Sequence, residues 1–157
     1  SCRVSSTLEK ATGKKNLIDN SPETCWTSQQ GLPQFIQLGF NDKVIPKRLS
    51  ITFQGGFVGT RCVLFTSDDA NKKDWRSFTT VYPEDVNRRQ IFDLIPGPFE
   101  ALKGGITAMR LVFEDSSDFF GRITVYDLKV EGIKPRCVEK TTDLGDGVQD
   151  VLINRLH

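Results

Sequence analysis

Short apolar alternations, divided by turn residues, constrain the fold of this chain more than any other sequence feature. Apolar residues alternate with polar or small ones in segments 36–40 and 49–53, and this period of two predicts half-buried strands. Further predicted strands, in chain order, are 61–66, 75–81, 89–95, 108–113 and 122–130. Clusters of Gly, Pro, Asn, Asp and Ser separate most of them. Because no long segment has the 3.6-residue period of a helix, we predict an all-β sandwich or barrel.

The last predicted strand has an irregular apolar pattern. Ile123 and Val125 share one parity, whereas Tyr126, Leu128 and Val130 share the other. One strand points both sets inward only if an additional residue changes the register, which predicts a β-bulge near Val125 and Tyr126. The alternative is a strand that is buried on both faces.

The length of the chain favours a single domain. Its 157 residues can enclose one core but are too few for two well-packed ones. We predict a domain over residues 1–136 and a polar C-terminal tail over 137–157. Four apolar residues of the tail, at 148, 151, 152 and 156, have helical spacing. The tail is therefore expected to form a short helix or to be disordered.

Several function classes are disfavoured by what the sequence lacks. The net charge is only +1, so we expect no direct nucleic-acid partner, and no apolar run approaches the length of a membrane span. The single histidine, His157, is the last residue, which is a poor place for a catalytic base. The glycine-rich segment 55–61 lacks the ending of a phosphate-binding loop and precedes a strand. These features predict a binding protein without catalytic residues.

The four cysteines leave two interpretations open. They lie at positions 2, 25, 62 and 137 without a C-x-x-C pair, which argues against a zinc site. Because the ends of a sandwich often meet, Cys2 and Cys137 can form a disulfide. Alternatively all four thiols are reduced, with Cys25 and Cys62 buried as small apolar groups. We favour the second interpretation and an intracellular compartment.

Two parts of the chain carry a family resemblance. Segment 16–28 reads N-L-I-D-N-S-P-E-T-C-W-T-S and resembles the opening signature of discoidin (coagulation factor type C) and galactose-binding-like domains. Segments 108–113 and 123–132 resemble the final strand pair of that family. The resemblance covers roughly residues 3–132, and it implies a jelly-roll β-sandwich with a binding role that the fold alone does not specify.

Segments 52–57, 82–85 and 113–122 are similar to a family of small animal proteins described as repressors associated with an orphan nuclear receptor. This implies an intracellular adaptor or repressor of the nucleus and cytoplasm whose partner is a nuclear receptor or another protein. The alternative is a secreted or cell-surface domain that binds carbohydrate or phospholipid. Extracellular discoidin domains open and close with paired cysteines, and Cys2 and Cys137 lie near those places.

The resemblance also implies a structural calcium ion. In many relatives the ion lies beneath a loop that carries Asp and Thr, and a Glu on the last strand closes the site. Asp19, Thr24 and Glu131 match those places, and Asn16 and Asn20 can add carbonyl oxygens; calcium accepts six to eight such ligands. The alternative is that Asp19 and Thr24 only cap a turn while Glu131 is paired or solvated.

Aromatic and basic residues in the loops predict a partner-binding surface, because the strands of a sandwich hold its loops in place. The candidate residues are Phe57, Arg61, Phe119, Phe120 and Arg122, a composition typical of protein interfaces. Adjacent strand residues point to opposite faces, so one of Phe119 and Phe120 is expected in the core. Phenylalanines without Tyr or Trp favour a protein partner over a sugar. The alternative is that these rings fold back and close the end of the sandwich.

Trp26 follows the turn at 20–22. We predict that it packs inside the sandwich with its indole N–H hydrogen-bonded, as buried tryptophans usually are. The alternative is an exposed tryptophan that binds a ligand.

Overall fold

The computed structural model describes residues 1–69, 71, 73–94, 104–135 and 150–152. Within them the chain forms two short 3₁₀ turns, Lys10–Thr12 and Lys14–Leu17, and nine strands. In chain order the strands are β1 Cys2–Val4, β2 Trp26–Thr27, β3 Gln34–Phe53, β4 Arg61–Ser67, β5 Arg76–Val81, β6 Arg89–Asp93, β7 Ile106–Asp115, β8 Thr124–Ile133 and β9 Asp150–Leu152. The prediction of an all-β fold is confirmed.

The long strand β3 belongs to two antiparallel sheets. Its first part pairs with β1 and β7, which gives a first sheet of order β1-β3-β7-β4-β5. Its second part pairs with β6 and β8, which gives a second sheet of order β6-β3-β8. Strands β2 and β9 pair with opposite ends of β8. The register of β3 against β7 shifts between Gly39 and Val44, where the strand passes from one sheet to the other.

The core lies between the two sheets because alternate residues of each strand point inward. Among its largest fully buried side chains are Trp26, Phe53 and Phe113. The rings of Phe53 and Phe113 meet edge to face with 5.7 Å between their centroids. Trp26 donates its indole N–H to the carbonyl of Ser6 at 2.9 Å. The predicted core position and hydrogen bond of Trp26 are therefore confirmed.

The bulge predicted in the last strand of the domain is present in β8. Thr52 pairs with Asp127, whereas the next residue, Phe53, pairs with Val125, so Tyr126 has no opposite partner on β3. Val125 and Leu128 are both buried although their sequence parity differs. The additional residue turns both parts of the strand toward the core.

The C-terminal segment differs from the expected helical turn where the structure describes it. Residues 150–152 form β9, which pairs with Glu131–Ile133 of β8. The edge of β8 supplies backbone hydrogen bonds, whereas a helix of this length is only marginally stable in water. The rest of the predicted tail lies outside the described residues.

Three of the four cysteines are described. Cys2, Cys25 and Cys62 form no disulfide among the described residues, and Cys137 lies outside them, so the pairing of Cys2 with Cys137 stays a prediction. Cys62 is buried as predicted, whereas Cys25 is only half-buried because it precedes the short strand β2. Within the described part of the chain no helix is long and apolar enough to cross a membrane.

Candidate functional site

Two loops at one end of the sandwich are held together by backbone hydrogen bonds. Residues 54–60 connect β3 to β4, and residues 116–123 connect β7 to β8. Val58 accepts a bond from the Ser117 N–H and donates its own N–H to the Ser117 hydroxyl, both at 2.9 Å. The N–H of Thr124 donates to the carbonyl of Phe57 at 3.0 Å. The side chains of both loops are thus presented by a fixed backbone.

Arg122 organises the side chains at this end. Its Nε donates to Oδ2 of Asp118 at 2.9 Å, and its Nη2 donates to Oδ1 at 3.2 Å. The guanidinium carbon lies 5.1 Å from the ring centroid of Phe57 and 5.7 Å from that of Phe120, within cation–π range. We call Phe57, Phe119, Phe120 and Arg122 the aromatic tip.

The same ion pair sets the charge states in the tip. The side-chain hydrogen bond from Arg122 lowers the pKa of Asp118 below its usual value, although partial burial opposes the shift. The same bond raises the pKa of Arg122. Both groups are therefore charged at neutral pH, and each side chain limits the freedom of the other.

Both phenylalanines of the 116–123 loop are displayed to solvent. Phe119 is 93% exposed and Phe120 is 53% exposed, and their rings meet edge to face with 5.3 Å between the centroids. The expectation that one of them enters the core is wrong. They lie in a turn closed by the bond from the Gly121 N–H to the Asp118 carbonyl, so strand alternation does not apply.

A third loop, residues 28–33, supports this turn. The Gly31 N–H donates to the carbonyl of Phe120 at 2.8 Å. Gly121 has φ +81°, and a Cβ at that position would lie 3.1 Å from the backbone of Gly31, so only glycine fits without strain. Leu32, 42% exposed, stands beside Gly121 and enlarges the apolar surface. Sequence analysis missed Leu32 because nothing local links it to residues about 90 positions later.

Arg61, the remaining predicted binding residue, is paired elsewhere. Its Nη1 lies 3.6 Å from Oε2 of Glu114, and both side chains are partly exposed. Arg61 begins β4 opposite Asp115 of β7. The structure thus brings together four of the five predicted binding residues. The fifth, Arg61, has its charge offset by the carboxylate of Glu114.

Four of the five residues predicted to hold calcium lie in residues 16–24, here called the 16–24 loop, which begins in the second 3₁₀ turn and ends shortly before β2. Asn16 donates its Nδ2 to the carbonyls of Ala11 and Cys25, both at 2.8 Å, and so ties the 3₁₀ turns to this loop. Asp19 accepts bonds from the Ser21 N–H and the Thr24 hydroxyl, and Asn20 adopts φ +57°. The two bonds to Asp19 are those expected of a residue that caps a turn, whether or not a cation is bound.

The fifth predicted calcium ligand, Glu131, lies on β8 beside an arginine. Its carboxylate lies 3.5 Å from Arg48, its partner across the β3–β8 ladder. Along β8, Asp127 comes four residues earlier, about 13 Å closer to the end where β2 pairs with Thr124 and Val125. Asp127 Oδ2 is buried without a hydrogen-bond partner, and Arg89 approaches it only to 3.9 Å.

Asp127 is a second carboxylate of β8, and it lies near this loop. It lines a groove of about 700 Å³ together with Asn20, Ser21 and Pro22. Within the described residues no group of three or more His, Cys, Asp or Glu side chains has a metal-binding arrangement. A cation here would depend on hydroxyl and carbonyl oxygens as well as on Asp19 and Asp127, which calcium tolerates.

Comparison with known proteins gives close relatives in sequence. No family model matches the chain. The nuclear receptor 2C2-associated protein of Danio rerio is 40% identical over 135 residues, which are 84% of this chain and 90% of that protein. The protein of the same name from Homo sapiens is 39% identical and covers 84% of this chain and 91% of its own length.

Solved structures share the fold at low sequence identity. A chitosan-binding module of a chitosanase/glucanase from Paenibacillus sp. IK-5 has a TM-score of 0.68 at 14% identity and covers 83% of this chain and 92% of its own. The family 32 carbohydrate-binding module of Clostridium perfringens NanJ, solved with galactose, has a TM-score of 0.63 at 15% identity over 83% of this chain and 91% of its own. These likenesses confirm the galactose-binding-like jelly roll and, at such identities, show the fold alone.

Proposed function

Because this chain belongs to the family of nuclear receptor 2C2-associated proteins, we propose that it is a non-catalytic interaction module that binds a nuclear receptor through the aromatic tip. The observation that carries the proposal is the display of Phe119 and Phe120 on a turn fixed by Arg122 and Asp118. Exposed apolar side chains on a fixed backbone lose little entropy on binding, and aromatic residues beside Arg are typical of interface hot spots.

The composition of the tip supports a protein partner over a sugar. Its rings are phenylalanines, which have no polar group with which to orient a hydroxyl-rich ligand. Arg122 already stacks against Phe57 and Phe120, so its guanidinium covers part of the ring surface on which a sugar could stack. The carbohydrate alternative is suggested by the fold neighbours, and an apolar tip can also insert into a phospholipid surface, so both enter the test as competing outcomes.

The test measures binding of the purified chain to purified nuclear receptor 2C2 by biolayer interferometry. Phe119→Ser and Phe120→Ser should each weaken binding by about tenfold or more, the loss typical of a hot-spot residue. Their melting temperatures should stay close to that of the wild type, because both rings are exposed. Ile91→Ser is the matched control, since Ile91 is 56% exposed on β6 in the second sheet and should not affect binding.

Full receptor binding by both tip variants would show that the receptor contacts another surface. Binding of the wild type to galactose or to phosphatidylserine vesicles, lost in the tip variants, would assign the tip to carbohydrate or membrane instead. Phe57→Ser is less informative, because Phe57 is half-buried beneath Arg122 and its loss also removes packing.

We place the protein in the nucleus and cytoplasm, as its relatives' association with a nuclear receptor suggests. The oxidation state of the cysteines tests this. A thiol count under denaturing, non-reducing conditions should give four free thiols per chain, the number of cysteines in the sequence. Two free thiols and a bridge between Cys2 and Cys137 would favour the secreted or cell-surface alternative.

We also propose that the 16–24 loop binds calcium, with Asp19, Thr24 and Asp127 as side-chain ligands. The unpartnered Oδ2 of Asp127 supports this set over the set that includes Glu131. Calorimetry on chelator-treated protein should show a higher melting temperature in millimolar calcium, since a ligand at 100 times its Kd stabilises by about 2.7 kcal/mol. Asp127→Asn should abolish the rise and Glu131→Gln should keep it; no rise in the wild type would refute the site.

A further inference from the structure

The two arginines without a carboxylate partner are neighbours on the first sheet. Of the eight arginines in the described residues, six pair with a carboxylate: Arg48, Arg61, Arg76, Arg88, Arg89 and Arg122. The other two are Arg3 on β1 and Arg110 on β7, and no described Asp or Glu lies within ion-pair distance of either. Both stand opposite Gln37 of β3, one on each side, so they belong to a single cross-strand row.

Arg110 is held in one orientation by the groups around it. Its Nε and Nη2 donate to Oε1 of Gln37 at 3.0 and 2.7 Å. Its guanidinium carbon lies 4.4 Å from the ring centroid of Trp75 and 5.2 Å from that of Phe35. Two of the five N–H donors of the side chain are thereby used, and three are left for a ligand. A guanidinium fixed in this way loses little freedom when it binds a planar carboxylate.

Among the described residues, no carboxylate is paired with either arginine of this row. Burial lowers the pKa of Arg110, and the positive charge of Arg3 adds to the effect. Two like charges that flank the buried amide of Gln37 raise the energy of the free protein, and an anion placed between or above them relieves it.

The surface around Arg110 is apolar and reaches the aromatic tip. Ile36 and Leu38 point into the core, so Phe35 and Gln37 lie on the outer face of the first sheet. In the row next to Arg110, Phe35 pairs with Val112, and the outer-face residues of this row are half-buried. A groove of about 280 Å³ is lined by Val112, Pro33 and Leu32, the last at the edge of the tip, and by Glu114, whose carboxylate is paired with Arg61.

We propose that the outer face of the first sheet binds an acidic peptide segment of a protein partner. A Glu or Asp side chain of the peptide takes the free donors of Arg110, and flanking apolar side chains pack on Phe35 and Trp75. Two cations, one of them packed between aromatic rings, suit a carboxylate flanked by apolar residues, whereas a nucleic acid requires a longer row of basic residues. The proposal rests on the protein being an interaction module and adds a contact surface distinct from the tip.

The probe is a fluorescein-labelled peptide of twelve residues that alternates Glu and Leu; its control replaces each Glu with Gln. Fluorescence anisotropy measures affinity. Tryptophan emission locates the site, because Trp26 is fully buried while Trp75 is half-buried against Arg110. We expect the Glu peptide to bind at least about tenfold more tightly than the Gln peptide and to change the tryptophan emission. We also expect binding to weaken as salt is raised.

Arg110→Gln should reduce the affinity for the Glu peptide by about tenfold or more. Arg110→Lys should reduce the affinity less, because lysine keeps the charge but lacks the planar guanidinium that donates two parallel hydrogen bonds to a carboxylate. Arg3 is exposed, so Arg3→Gln should fold and still weaken binding. The matched control is Arg48→Gln on the second sheet, where Asp93 and Glu131 already satisfy the arginine, and it should leave the affinity unchanged.

Equal binding of the Glu and Gln peptides would overturn the proposal, as would wild-type affinity in both Arg110→Gln and Arg3→Gln. Stronger competition by a single-stranded oligonucleotide than by the unlabelled peptide would do the same. The Phe119→Ser variant should keep its affinity for the Glu peptide and lose affinity for the receptor. A failure of the tip and a failure of this face are therefore distinguishable.

Discussion

Gly59 lies against the core near the end of the 54–60 loop, and adding one methyl group there should destabilise the whole domain. An alanine Cβ at position 59 would lie 2.3 Å from Cδ1, 2.8 Å from Cγ and 3.1 Å from Cβ of Phe113. Carbon atoms prefer separations of about 3.5–4.0 Å, so the two residues must move apart by more than about 1 Å. Gly59 is not among the described glycines with positive φ, so the penalty is steric and not a backbone effect.

Phe113 has little room to yield. It is fully buried, and its ring already contacts Phe53 edge to face. Overpacking of this kind costs about 1–3 kcal/mol, a large share of the 5–15 kcal/mol that usually stabilises a domain. Urea unfolding followed by tryptophan fluorescence should show Gly59→Ala with a lower midpoint and an unchanged slope. Gly104→Ala is the matched control, because a Cβ there meets nothing within 4 Å.

A double-mutant cycle with Phe113→Ala separates this cause from others. The second substitution alone should cost about 3–5 kcal/mol, since it removes a buried ring. In its background Gly59→Ala should cost almost nothing, because the atoms it would strike have largely gone. A cost below about 0.5 kcal/mol for Gly59→Ala, or the same cost in both backgrounds, would refute the steric argument.

Three further predictions concern the core, the tip and a buried thiol. Trp26→Ala should lower the free energy of unfolding by about 3–5 kcal/mol, and Trp26→Phe should also be destabilising because the Ser6 carbonyl loses its donor; calorimetry measures both. Because the pKa of Asp118 is lowered in the native state, the stability that its ion pair contributes is complete at neutral pH. That contribution is lost as the pH falls below about 3.9 and through the native pKa, so Asp118→Asn should remove this part of the acid dependence in a pH series of melts. Burial raises the pKa of Cys62 far above its usual range, so this thiol should react with Ellman's reagent only when the domain unfolds; fast labelling of all thiols in native protein would contradict its burial.

Strands β3 to β8 were predictable because the apolar residues of a half-buried strand alternate in the local sequence, whereas the short strands β1, β2 and β9 were not predicted. The bulge in β8 could be inferred for the same reason. Val125 and Leu128 are both apolar, but their positions differ by an odd number, so a regular strand cannot point both toward the core. The continuity of β3 through Pro46 was not predicted. Its register against β8 shifts between Pro46 and Arg48, so the missing N–H of the proline falls at an irregular point of the ladder.

The sites were only partly predictable because they depend on contacts between distant segments. Phe57 and Arg122 were both proposed, but the stacking between them joins loops that follow different strands. The proposal of Asp127 in place of Glu131 depends on position along β8, because the two residues have the same parity and only Asp127 is near the end that pairs with β2. The role proposed for Arg110 could not be predicted from the sequence, because the local sequence of a strand does not show whether a carboxylate lies beside an arginine on a neighbouring strand.

The pairing of the arginines is what distinguishes the two proposed surfaces of this protein. The net charge of +1 reflects nearly equal numbers of basic and acidic residues, and such a total hides any local surplus of charge. At the tip, the charge of Arg122 is satisfied by Asp118, so the arginine acts there as a stacked support that displays Phe120. On the first sheet, Arg110 has similar aromatic support, but no Asp or Glu in the described part of the chain is paired with it. The first arrangement presents apolar area to a partner and the second presents unused donors, so salt should weaken binding to the sheet face much more than binding to the tip.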